Sequence, residues 1–441
     1  MQCPVVVIGA GQAGLAASHH LTARAIDHVV LERGRVAHSW RTERWDSLTL
    51  LTPNWMTRLP GWCYDGPDPD GFMPAAQVAE LIAGYARRDA APVRTHTHVT
   101  AAHAEGDGHR VDTDRGRWHC RALVLASGAF GQPLVPRLAA ALPPGVVQLH
   151  AQHYRNPARL SDGGVLVVGA SASGVQLARE IARSGRTVWL ATGEHVRLPR
   201  SYRGRDIHRW MHAMQLLGDR IEDQDEIERA RRLPSPQLAG GDDRRSIDLP
   251  ALRADGVEIV GRLVGARDTT LHFSGALRNA CALADLKMNR LLDAIDAFAA
   301  REGLDGRIGA IERFAPSLPP QPPRLALTAG IDVKTVLWAT GHRPDLSWLQ
   351  QPVFGADGRL QHDRGIVAGA SGLYVLGLPF MRRRSSSFIH GSVDDAAEIA
   401  GCVSAFMTAR RSAAAAACGT ASPHRSSIRR PGSHPAARTG A

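Results

Sequence analysis

Two glycine-rich segments have the residue types and spacing that bind a pyrophosphate. Residues 9–14 read Gly-Ala-Gly-Gln-Ala-Gly, and residues 169–174 read Gly-Ala-Ser-Ala-Ser-Gly. Each segment follows a β-branched run and opens a helical pattern, as a strand–turn–helix would. In such a turn Gly9 permits the tight bend, Gly11 lets backbone N–H groups approach the phosphates, and Gly14 lets the helix pack closely on the strand. The helix N-terminus then faces the anion with its partial positive charge.

The first segment is followed by the acid that a dinucleotide site uses. A second apolar run, residues 29–31, ends at Glu32, which lies 23 residues after Gly9. A carboxylate at this place accepts hydrogen bonds from a ribose diol. We therefore predict an FAD site whose first part is formed by Gly9, Gly11, Gln12, Ala13, Gly14, Glu32 and Arg33.

The second segment differs at two points. Ser171 replaces the central glycine and Ser173 adds a hydroxyl, and both hydroxyls could donate to phosphate oxygens. Thr192 stands where the first segment has its acid, so a 2′-phosphate would not be repelled, although Glu194 is near. Arginine pairs well with phosphate. We therefore predict an NADPH site, favoured over an NADH site, formed by Gly169, Ser171, Ser173, Gly174, Arg197 and Arg200; a turn that binds nothing is the alternative.

The same βαβ unit thus occurs twice, about 160 residues apart. This predicts an α/β fold with two Rossmann-like dinucleotide-binding domains of the three-layer ββα type, the NADPH domain being inserted in the FAD domain. The predicted boundaries are 1–160 and 326–410 for the FAD domain and 161–325 for the NADPH domain. Residues 411–441 are rich in Ala, Ser, Arg, Pro and Gly without an apolar period, which predicts a disordered tail.

Composition excludes several other classes. Hydrophobic residues make up 44% of the 441 residues and charged residues 22%, as in ordinary globular proteins. The net charge of +11 falls to +6 without residues 411–441, and no nucleic-acid-binding module is present, so we predict no nucleic-acid partner. No run is long and apolar enough for a membrane span. Six scattered cysteines without a CxxC pair predict a reduced, cytoplasmic protein, and His96 with His98 lacks a third metal ligand, so no metal site is predicted.

These motifs together resemble the flavin-containing monooxygenases, most closely their YUCCA-like bacterial and plant branch. The matching segments follow the family order: residues 9–14, 39–41 (Ser-Trp-Arg), 45–48 (Trp-Asp-Ser-Leu), 59–61 (Leu-Pro-Gly), 150–157 (HAQHYRNP), 169–174, 339–341 (Ala-Thr-Gly) and 391–396 (GSVDDA). The resemblance implies that residues 40–52 wrap the flavin, with Trp40 and Arg41 at the cofactor, and that Val99 presents backbone to the adenine.

The resemblance implies further cofactor contacts in the second half of the FAD domain. Ala126 and Gly128 would form a backbone crossing beside the FAD, and Ala339 with Gly341 would form its counterpart at the second motif. The helix that starts near Asp394 would point its N-terminus at the flavin pyrimidine, where its dipole stabilises negative charge. A simple N-terminal cap is the alternative for Asp394, and core packing is the alternative for Trp40.

The activity implied is monooxygenation of a small organic molecule by O2 through a C4a-(hydro)peroxide of FAD, with no protein side chain identified as catalytic. Two departures from the family pattern leave alternatives. Gly145 lies five positions before His150 instead of four, and Thr52-Pro53-Asn54 stands where oxygenating members carry Thr-Asn. An NADPH dehydrogenase or oxidase without oxygen insertion is therefore the second hypothesis. A redox-sensing flavoprotein that acts on a partner is the third. Residues 200–325 would hold a substrate lid, and a homodimer is left open.

Overall fold

The computed structural model describes residues 1–241 and 243–419. Its helices are α1 Gln12–Thr22, α2 His38–Thr42, α3 Ala75–Arg88, α4 Ala172–Arg183, α5 Ile207–Ala213, α6 Ile227–Arg232, α7 Leu249–Ala254, α8 Leu277–Arg301 and α9 Gly391–Gly419. Its strands are β1 Val5–Ile8, β2 His28–Leu31, β3 Arg58–Leu59, β4 Trp62–Cys63, β5 Val93–Arg94, β6 Val99–Glu105, β7 Gly108–Thr113, β8 Gly116–Cys120, β9 Ala122–Leu125, β10 Gln132–Pro133, β11 Val147–His150, β12 Gly164–Val168, β13 Val188–Thr192, β14 Ser201–Tyr202, β15 Arg205–Asp206, β16 Glu258–Gly261, β17 Leu263–Arg267, β18 Thr270–Phe273, β19 Ala326–Thr328, β20 Val333–Trp338, β21 His342–Arg343, β22 Leu349–Gln350, β23 His362–Asp363, β24 Ile366–Val367 and β25 Leu373–Val375.

The first domain is built around a seven-stranded sheet of order β23-β24-β25-β9-β1-β2-β5. Strand β1 runs parallel to both β2 and β9, with Ile8 opposite Leu31 and Leu125. A four-stranded sheet, β22-β6-β7-β8, covers one face, and α1 packs against α9 in the same core. Because β1 is buried on both faces, its sequence is a continuous apolar run instead of an alternating one.

The second domain repeats this arrangement. Its parallel sheet has the order β11-β20-β12-β13-β16, with Val168 opposite Ala191 and Trp338. The antiparallel sheet β17-β18-β19 packs with the parallel sheet in one core cluster. Helices α4 and α7 pack with the parallel sheet in a second core cluster. The predicted three-layer α/β fold with two Rossmann-like domains is confirmed.

The sheet topology moves the predicted domain boundaries outward. Strand β11 pairs with β20, and β20 pairs with β12, so residues before 161 and after 325 belong to the second sheet. The chain crosses between the domains at the short antiparallel pair β10–β21. The glycine motifs could not reveal this, because they mark one βαβ unit and not the strands that complete its sheet.

The predicted tail is also shorter than expected from the sequence. Helix α9 continues to Gly419, so residues 411–419 are helical where disorder was predicted. This stretch contains a run of alanines, the best helix former, and it continues a helix already nucleated by packing. Residues 420–441 lie outside the described residues.

Residues 193–325 add a hairpin, a small helical core and a contact with the first domain. Strands β17 and β18 form an antiparallel hairpin, and α5 and α8 share a small core around Trp210 and Leu292. Between α6 and α7 the chain returns to the first domain, where Thr49 Oγ1 donates to the carbonyl oxygen of Gly240 (2.7 Å). In the described part of the chain, none of the helices combines the length and apolar character needed to cross a membrane.

Candidate active-site cleft

Both glycine-rich turns begin at a position that only glycine can occupy. Gly9 has φ +108°, and a Cβ there would lie 2.5 Å from the carbonyl oxygen of Ala126. Gly169 has φ +111°, and a Cβ there would lie 2.5 Å from the carbonyl oxygen of Ala339. Each turn is therefore crossed closely by the backbone of the neighbouring strand end. The backbone crossings predicted at Ala126 and Ala339 lie directly against these turns.

The third glycine of each turn lets the helix approach its strand. A Cβ at Gly14 would lie 1.9 Å from the carbonyl oxygen of Gly9, and a Cβ at Gly174 would lie 1.8 Å from that of Gly169. Neither distance is compatible with a side chain. The helices α1 and α4 can therefore start directly at the turns.

The central glycine of the first turn faces open space. A Cβ at Gly11 would meet no protein atom within 4 Å, and Gly11 lines the cleft between the domains. Gly11 is the N-cap of α1 and Ser171 that of α4, and neither makes a side-chain capping hydrogen bond. The first N–H groups of both helices are thus free to bind an anion. A dinucleotide pyrophosphate fits at both places.

The strand that follows each helix ends differently in the two domains. Glu32 is 7% exposed, and its carboxylate accepts hydrogen bonds from the N–H groups of Ala10 (2.8 Å) and Gly34 (3.0 Å). It therefore supports the turn and also lines the cleft. Thr192 occupies the same register position, and its hydroxyl donates to the carbonyl oxygen of Leu190 (3.3 Å) within its own strand.

The cleft encloses about 370 Å³, a volume suited to a small-molecule ligand. Ala172, Ser173 and Gln176 of the second domain line the same space as the first turn. The structure therefore brings the two predicted cofactor sites together. The predicted residues that line it are Gly9, Gly11, Gln12, Ala13, Glu32, Arg33, Trp40, Ala126, Gly128 and Ser173.

Six other predicted residues belong to the turns and the crossings without lining the cleft: Gly14, Gly169, Ser171, Gly174, Ala339 and Gly341. Three more lie elsewhere in the first domain. The guanidinium of Arg41 pairs with Glu80 (2.8 Å) on the outer side of α2, away from the cleft. Val99 begins β6 as a buried residue, near the place where the N–H of Thr97 donates to the carbonyl oxygen of Glu32 (2.9 Å). Asp394 lies in the first turn of α9 and contacts Arg58 (3.7 Å). The side chain of Arg41 therefore lies outside the cleft. The backbone contact implied for Val99 and the helix N-terminus implied near Asp394 stay predictions.

Arg197 and Arg200 do not lie where a 2′-phosphate could reach them. Arg197 is 3% exposed and is paired with Asp248 (2.7 Å) and Asp285 (2.8 Å). Arg200 is 1% exposed and is paired with Asp206 (2.7 Å). A guanidinium that is buried and already paired holds its own loop in place. Their proximity in sequence to the end of β13 was misleading, since the chain turns inward after Glu194 and buries both.

Gly128 and Gly341 lie at the crossing between the domains. Both have positive φ, +86° and +92° respectively. The carbonyl oxygen of Gly341 accepts from the N–H of Leu134 (3.0 Å) and from Nε2 of His150 (3.0 Å), while Nδ1 of His150 accepts from the N–H of Gln152 (3.2 Å). These bonds fix the tautomer of His150 and anchor the second domain to the crossing.

Sequence reasoning gave no individual role to three titratable side chains that line the cleft, those of Glu43, Arg44 and His342. The guanidinium of Arg44 lies over the rings of Trp40 (5.3 Å) and Phe130 (5.5 Å), and burial lowers its pKa. Its neighbour Glu43 pairs instead with Arg33. Burial, reinforced by His150 and Arg44, lowers the pKa of His342 to about 4. His342 Nε2 is buried without a hydrogen-bond partner in the described residues, which leaves it available to a ligand.

Their positions carried only a weak signal. Arg44 lies within residues 40–52, which the resemblance implied to wrap the flavin, and His342 directly follows Ala-Thr-Gly. A sequence alone does not show that Arg44 turns inward while Arg41, three residues earlier, turns outward.

The segment Thr52-Pro53-Asn54 places its two polar side chains differently. Thr52 lines the cleft. Asn54 is 7% exposed, does not line the cleft, and donates from Nδ2 to the carbonyl oxygen of Asp68 (3.0 Å). Pro53 leads into a short 3₁₀ turn that begins at Asn54, and this turn carries the amide away from the cofactor space.

The segment HYRNP, residues 153–157, holds the two domains together beside the cleft. The guanidinium of Arg155 donates to the carbonyl oxygens of Thr42 and Arg44, and its own carbonyl oxygen accepts from the N–H of Asp46 (2.9 Å). Ser47 donates to Glu180 of α4 (2.9 Å). The loop that carries Arg44 is therefore bonded to the second domain.

Three known proteins and one family model are similar to this chain. The model of the pyridine nucleotide-disulphide oxidoreductases matches residues 6–213. The CzcO-like oxidoreductase of Geobacillus kaustophilus is 30% identical over 395 residues, which cover 89% of this chain and 95% of that protein. Indole-3-pyruvate monooxygenase YUCCA6 of Arabidopsis thaliana is 34% identical over 213 residues, 45% of this chain and 50% of that protein. The flavin-containing monooxygenase from Stenotrophomonas maltophilia shares the fold over 92% of this chain and 99% of its own, with TM-score 0.63 and 22% identity.

Two dinucleotide-binding domains that open onto one cleft define a flavin-dependent pyridine-nucleotide oxidoreductase. The chain belongs to the family of the CzcO-like oxidoreductases, a flavin-containing monooxygenase-like family. It is an enzyme, and its cofactors are FAD and NADPH.

Proposed function

We propose that this enzyme is a monooxygenase that uses NADPH, FAD and O2 to oxygenate a small organic molecule. The observation that carries the proposal is the shared cleft, which Gly11 of the first turn and Ser173 of the second turn both line. Electrons can pass from one nucleotide to the other only if both bind in contact. The similarity to YUCCA6, an indole-3-pyruvate monooxygenase, supports oxygenation as the reaction type.

The residues of the first turn fit FAD. Gly11 and the N-terminal N–H groups of α1 would hold the pyrophosphate, and Glu32 would hold the adenosine ribose. Ser173 and the N-terminus of α4 would hold the pyrophosphate of NADPH. When bound, FAD accepts hydride from NADPH and, once reduced, reacts with O2.

The remaining lining residues exclude water and orient the substrate. Trp40, Phe130 and Phe388 present aromatic surface to the cleft, which favours an apolar substrate body. Arg44 adds one positive charge among these rings, so an acidic group on the substrate would bind beside it. His342 stays neutral at neutral pH because burial lowers its pKa to about 4. Its free Nε2 can therefore hydrogen-bond a ligand without adding charge.

One observation favours a second function, reduction of an acceptor without oxygen insertion. The amide of Asn54 is directed to Asp68 and not to the cleft. Asn54 thus supplies no amide to the cleft, whereas the oxygenating members that this chain resembles often carry Thr-Asn beside the flavin. A disulfide reductase has less support, because none of the five described cysteines lines the cleft.

Oxygen stoichiometry separates these functions. The FAD-loaded enzyme is supplied with NADPH and ¹⁸O2, first alone and then with an aryl methyl sulfide, a cyclic ketone or an aromatic 2-oxo acid. A monooxygenase is expected to incorporate one ¹⁸O atom per NADPH into one of these compounds. Quantitative release of hydrogen peroxide with every compound would instead establish the oxidase, and anaerobic reduction of a quinone with slow oxygen consumption would establish the dehydrogenase.

We also propose a cytoplasmic location, which the free and scattered thiols support. A homodimer is a further proposal. Subcellular fractionation tests the first, and light scattering of the purified protein tests the second.

A further inference from the structure

The end of strand β13 is where the adenosine ribose of a dinucleotide on the second turn would lie. Val168 pairs with Ala191 as Ile8 pairs with Leu31, so Thr192 has the position that Glu32 has in the first domain. In a Rossmann unit, this position contacts the ribose 2′ oxygen. The side chains around Thr192 therefore determine whether the site accepts a nucleotide that carries a phosphate on that oxygen.

Thr192 and the nearby Glu194 are both already bonded to other described residues. The hydroxyl of Thr192 is bonded within its own strand, to the carbonyl oxygen of Leu190. Glu194, the acid nearest in sequence, is paired with Nζ of Lys287 on α8 (3.2 Å). The repulsion that a free Glu194 would exert on a 2′-phosphate is thereby reduced.

Arg262 brings a positive charge to the same place from the neighbouring strand. It directly follows β16, whose last residue, Gly261, pairs with Thr192. A Cβ on Gly193 would lie 3.6 to 3.7 Å from Cδ, Cγ and Cβ of Arg262, so the arginine stem lies along Gly193. Arg262 is exposed, and within the described residues its guanidinium has no ion-pair partner.

We infer that Arg262 recognises the 2′-phosphate of NADPH and determines the preference of this enzyme for NADPH over NADH. This assignment rests on the proposed NADPH site at the second turn. It replaces Arg197 and Arg200, whose guanidinium groups are buried against Asp248, Asp285 and Asp206. Gly193 contributes by leaving room for the arginine stem, and Lys287 contributes by neutralising Glu194.

Binding of adenosine nucleotides tests the assignment without turnover. The FAD-loaded full chain is titrated calorimetrically with 2′,5′-ADP and with 5′-AMP, which differ only in the 2′-phosphate. Loss of a charge-assisted phosphate contact is expected to raise the Kd for 2′,5′-ADP at least about tenfold in Arg262→Ala and to leave the Kd for 5′-AMP within about twofold. Arg262→Lys should recover part of the loss, because lysine keeps the charge without the planar fork.

Arg267→Ala is the matched control. Arg267 is an exposed arginine at the far end of β17, roughly 16 Å further along the strand, and its removal changes the net charge equally. It should leave both Kd values unchanged. If Arg262→Ala binds 2′,5′-ADP as tightly as the wild type, or if Arg267→Ala weakens it equally, Arg262 is not the recognition residue.

The wild type distinguishes this failure from failure of the proposed function. If wild-type protein prefers 2′,5′-ADP over 5′-AMP while Arg262→Ala keeps the same preference, only the assignment of Arg262 is overturned. If the wild type itself does not distinguish the two nucleotides, the NADPH site is overturned together with it.

Discussion

The two dinucleotide-binding units of this chain have matching turns but different surroundings. In both, the first glycine has positive φ and lies against a crossing backbone, and the last glycine touches the carbonyl oxygen of the first. At the end of the second strand, Glu32 bonds back to the first turn, whereas Thr192 bonds only within its own strand. The geometry of the turn thus follows from close backbone contacts that both units share. Which nucleotide each unit binds depends on side chains outside the turn.

The surroundings differ in a second way. The second turn is supported by a segment of the 193–256 region, since Gln237 donates from Nε2 to the carbonyl oxygen of Ala170 (3.0 Å) and Gln176 to that of Leu238 (3.3 Å). In the first domain Glu32 provides the support, through a charge. The same local fold is therefore stabilised by an acid in one unit and by neutral amides in the other.

A side chain inserted between the helix and the strand should have the largest effect on stability and cofactor binding in either unit. In Gly14→Ala and Gly174→Ala the new Cβ would lie under 2 Å from a carbonyl oxygen, so the helix has to move. We expect destabilisation by about 3 kcal/mol or more. Gly14→Ala should lose flavin, and Gly174→Ala should keep flavin but lose its reduction by NADPH. The flavin absorbance per protein and the thermal midpoint measure both effects.

Gly84→Ala is the control for these variants. A Cβ at Gly84, within α3, would meet only the end of the Arg87 side chain at 3.8 Å, so this variant should be neutral or up to about 1 kcal/mol more stable. Normal flavin content and stability in Gly14→Ala would refute the equivalence of the two turns.

The central residue of each turn should affect binding without affecting folding. Gly11 and Ser171 both have extended backbone, with φ −87° and −84°, so valine is tolerated at either position. In Gly11→Val the side chain would enter the space at the N-terminus of α1, and we expect folded but colourless protein. Ser171→Val should keep its flavin and bind NADP⁺ at least about tenfold more weakly.

Circular dichroism measures whether Gly11→Val and Ser171→Val are folded, and calorimetry measures their binding of NADP⁺. If Gly11→Val carries a full complement of FAD, the pyrophosphate does not bind at this turn, and the comparison between the two units fails at its first step.

Substitution of Glu32 and of Thr192 should show that these two residues stabilise their units to different extents. Glu32→Gln loses the charge that holds the N–H groups of Ala10 and Gly34, which should cost about 1–3 kcal/mol and weaken FAD binding about tenfold. Thr192→Val removes only a bond within one strand and should cost less than about 1 kcal/mol. Urea titration monitored by flavin fluorescence measures both, and equal losses in the two variants would contradict the difference described here.

The smallest expected effect concerns pH at the crossing between the domains. Burial lowers the pKa of His342 to about 4, whereas histidine in an unfolded chain titrates near 6.5. Between these values the unfolded chain binds more protons at this position than the folded chain, so stability falls as the pH falls through this window. His342→Gln should therefore lose about 1–3 °C less in thermal midpoint than the wild type between pH 7.5 and 5. An unchanged pH dependence would show that His342 does not titrate on unfolding.

The local elements and the fold class followed directly from the sequence. The strand–turn–helix units were visible as apolar runs followed by glycine-rich turns. The strands that end directly before Ala126 and Ala339 were visible as apolar runs that stop at small residues, because the backbone crosses a glycine turn closely at each of these places. Helix α9 was placed correctly at its start and not at its end, since an alanine-rich stretch has no apolar period and reads as a tail.

The tertiary structure decided what the side chains do. Arg41 and Arg44 are equally basic and three residues apart, yet one pairs with Glu80 outside and the other lies between aromatic rings in the cleft. Arg197 and Arg200 were close to Thr192 along the chain but are buried, while Arg262 reaches that place from the adjacent strand. Backbone conformation depends on neighbours in sequence, and sequence therefore determines the turns. Charge pairing and burial depend on neighbours in space, and for these residues only the assembled sheets decide which neighbours those are.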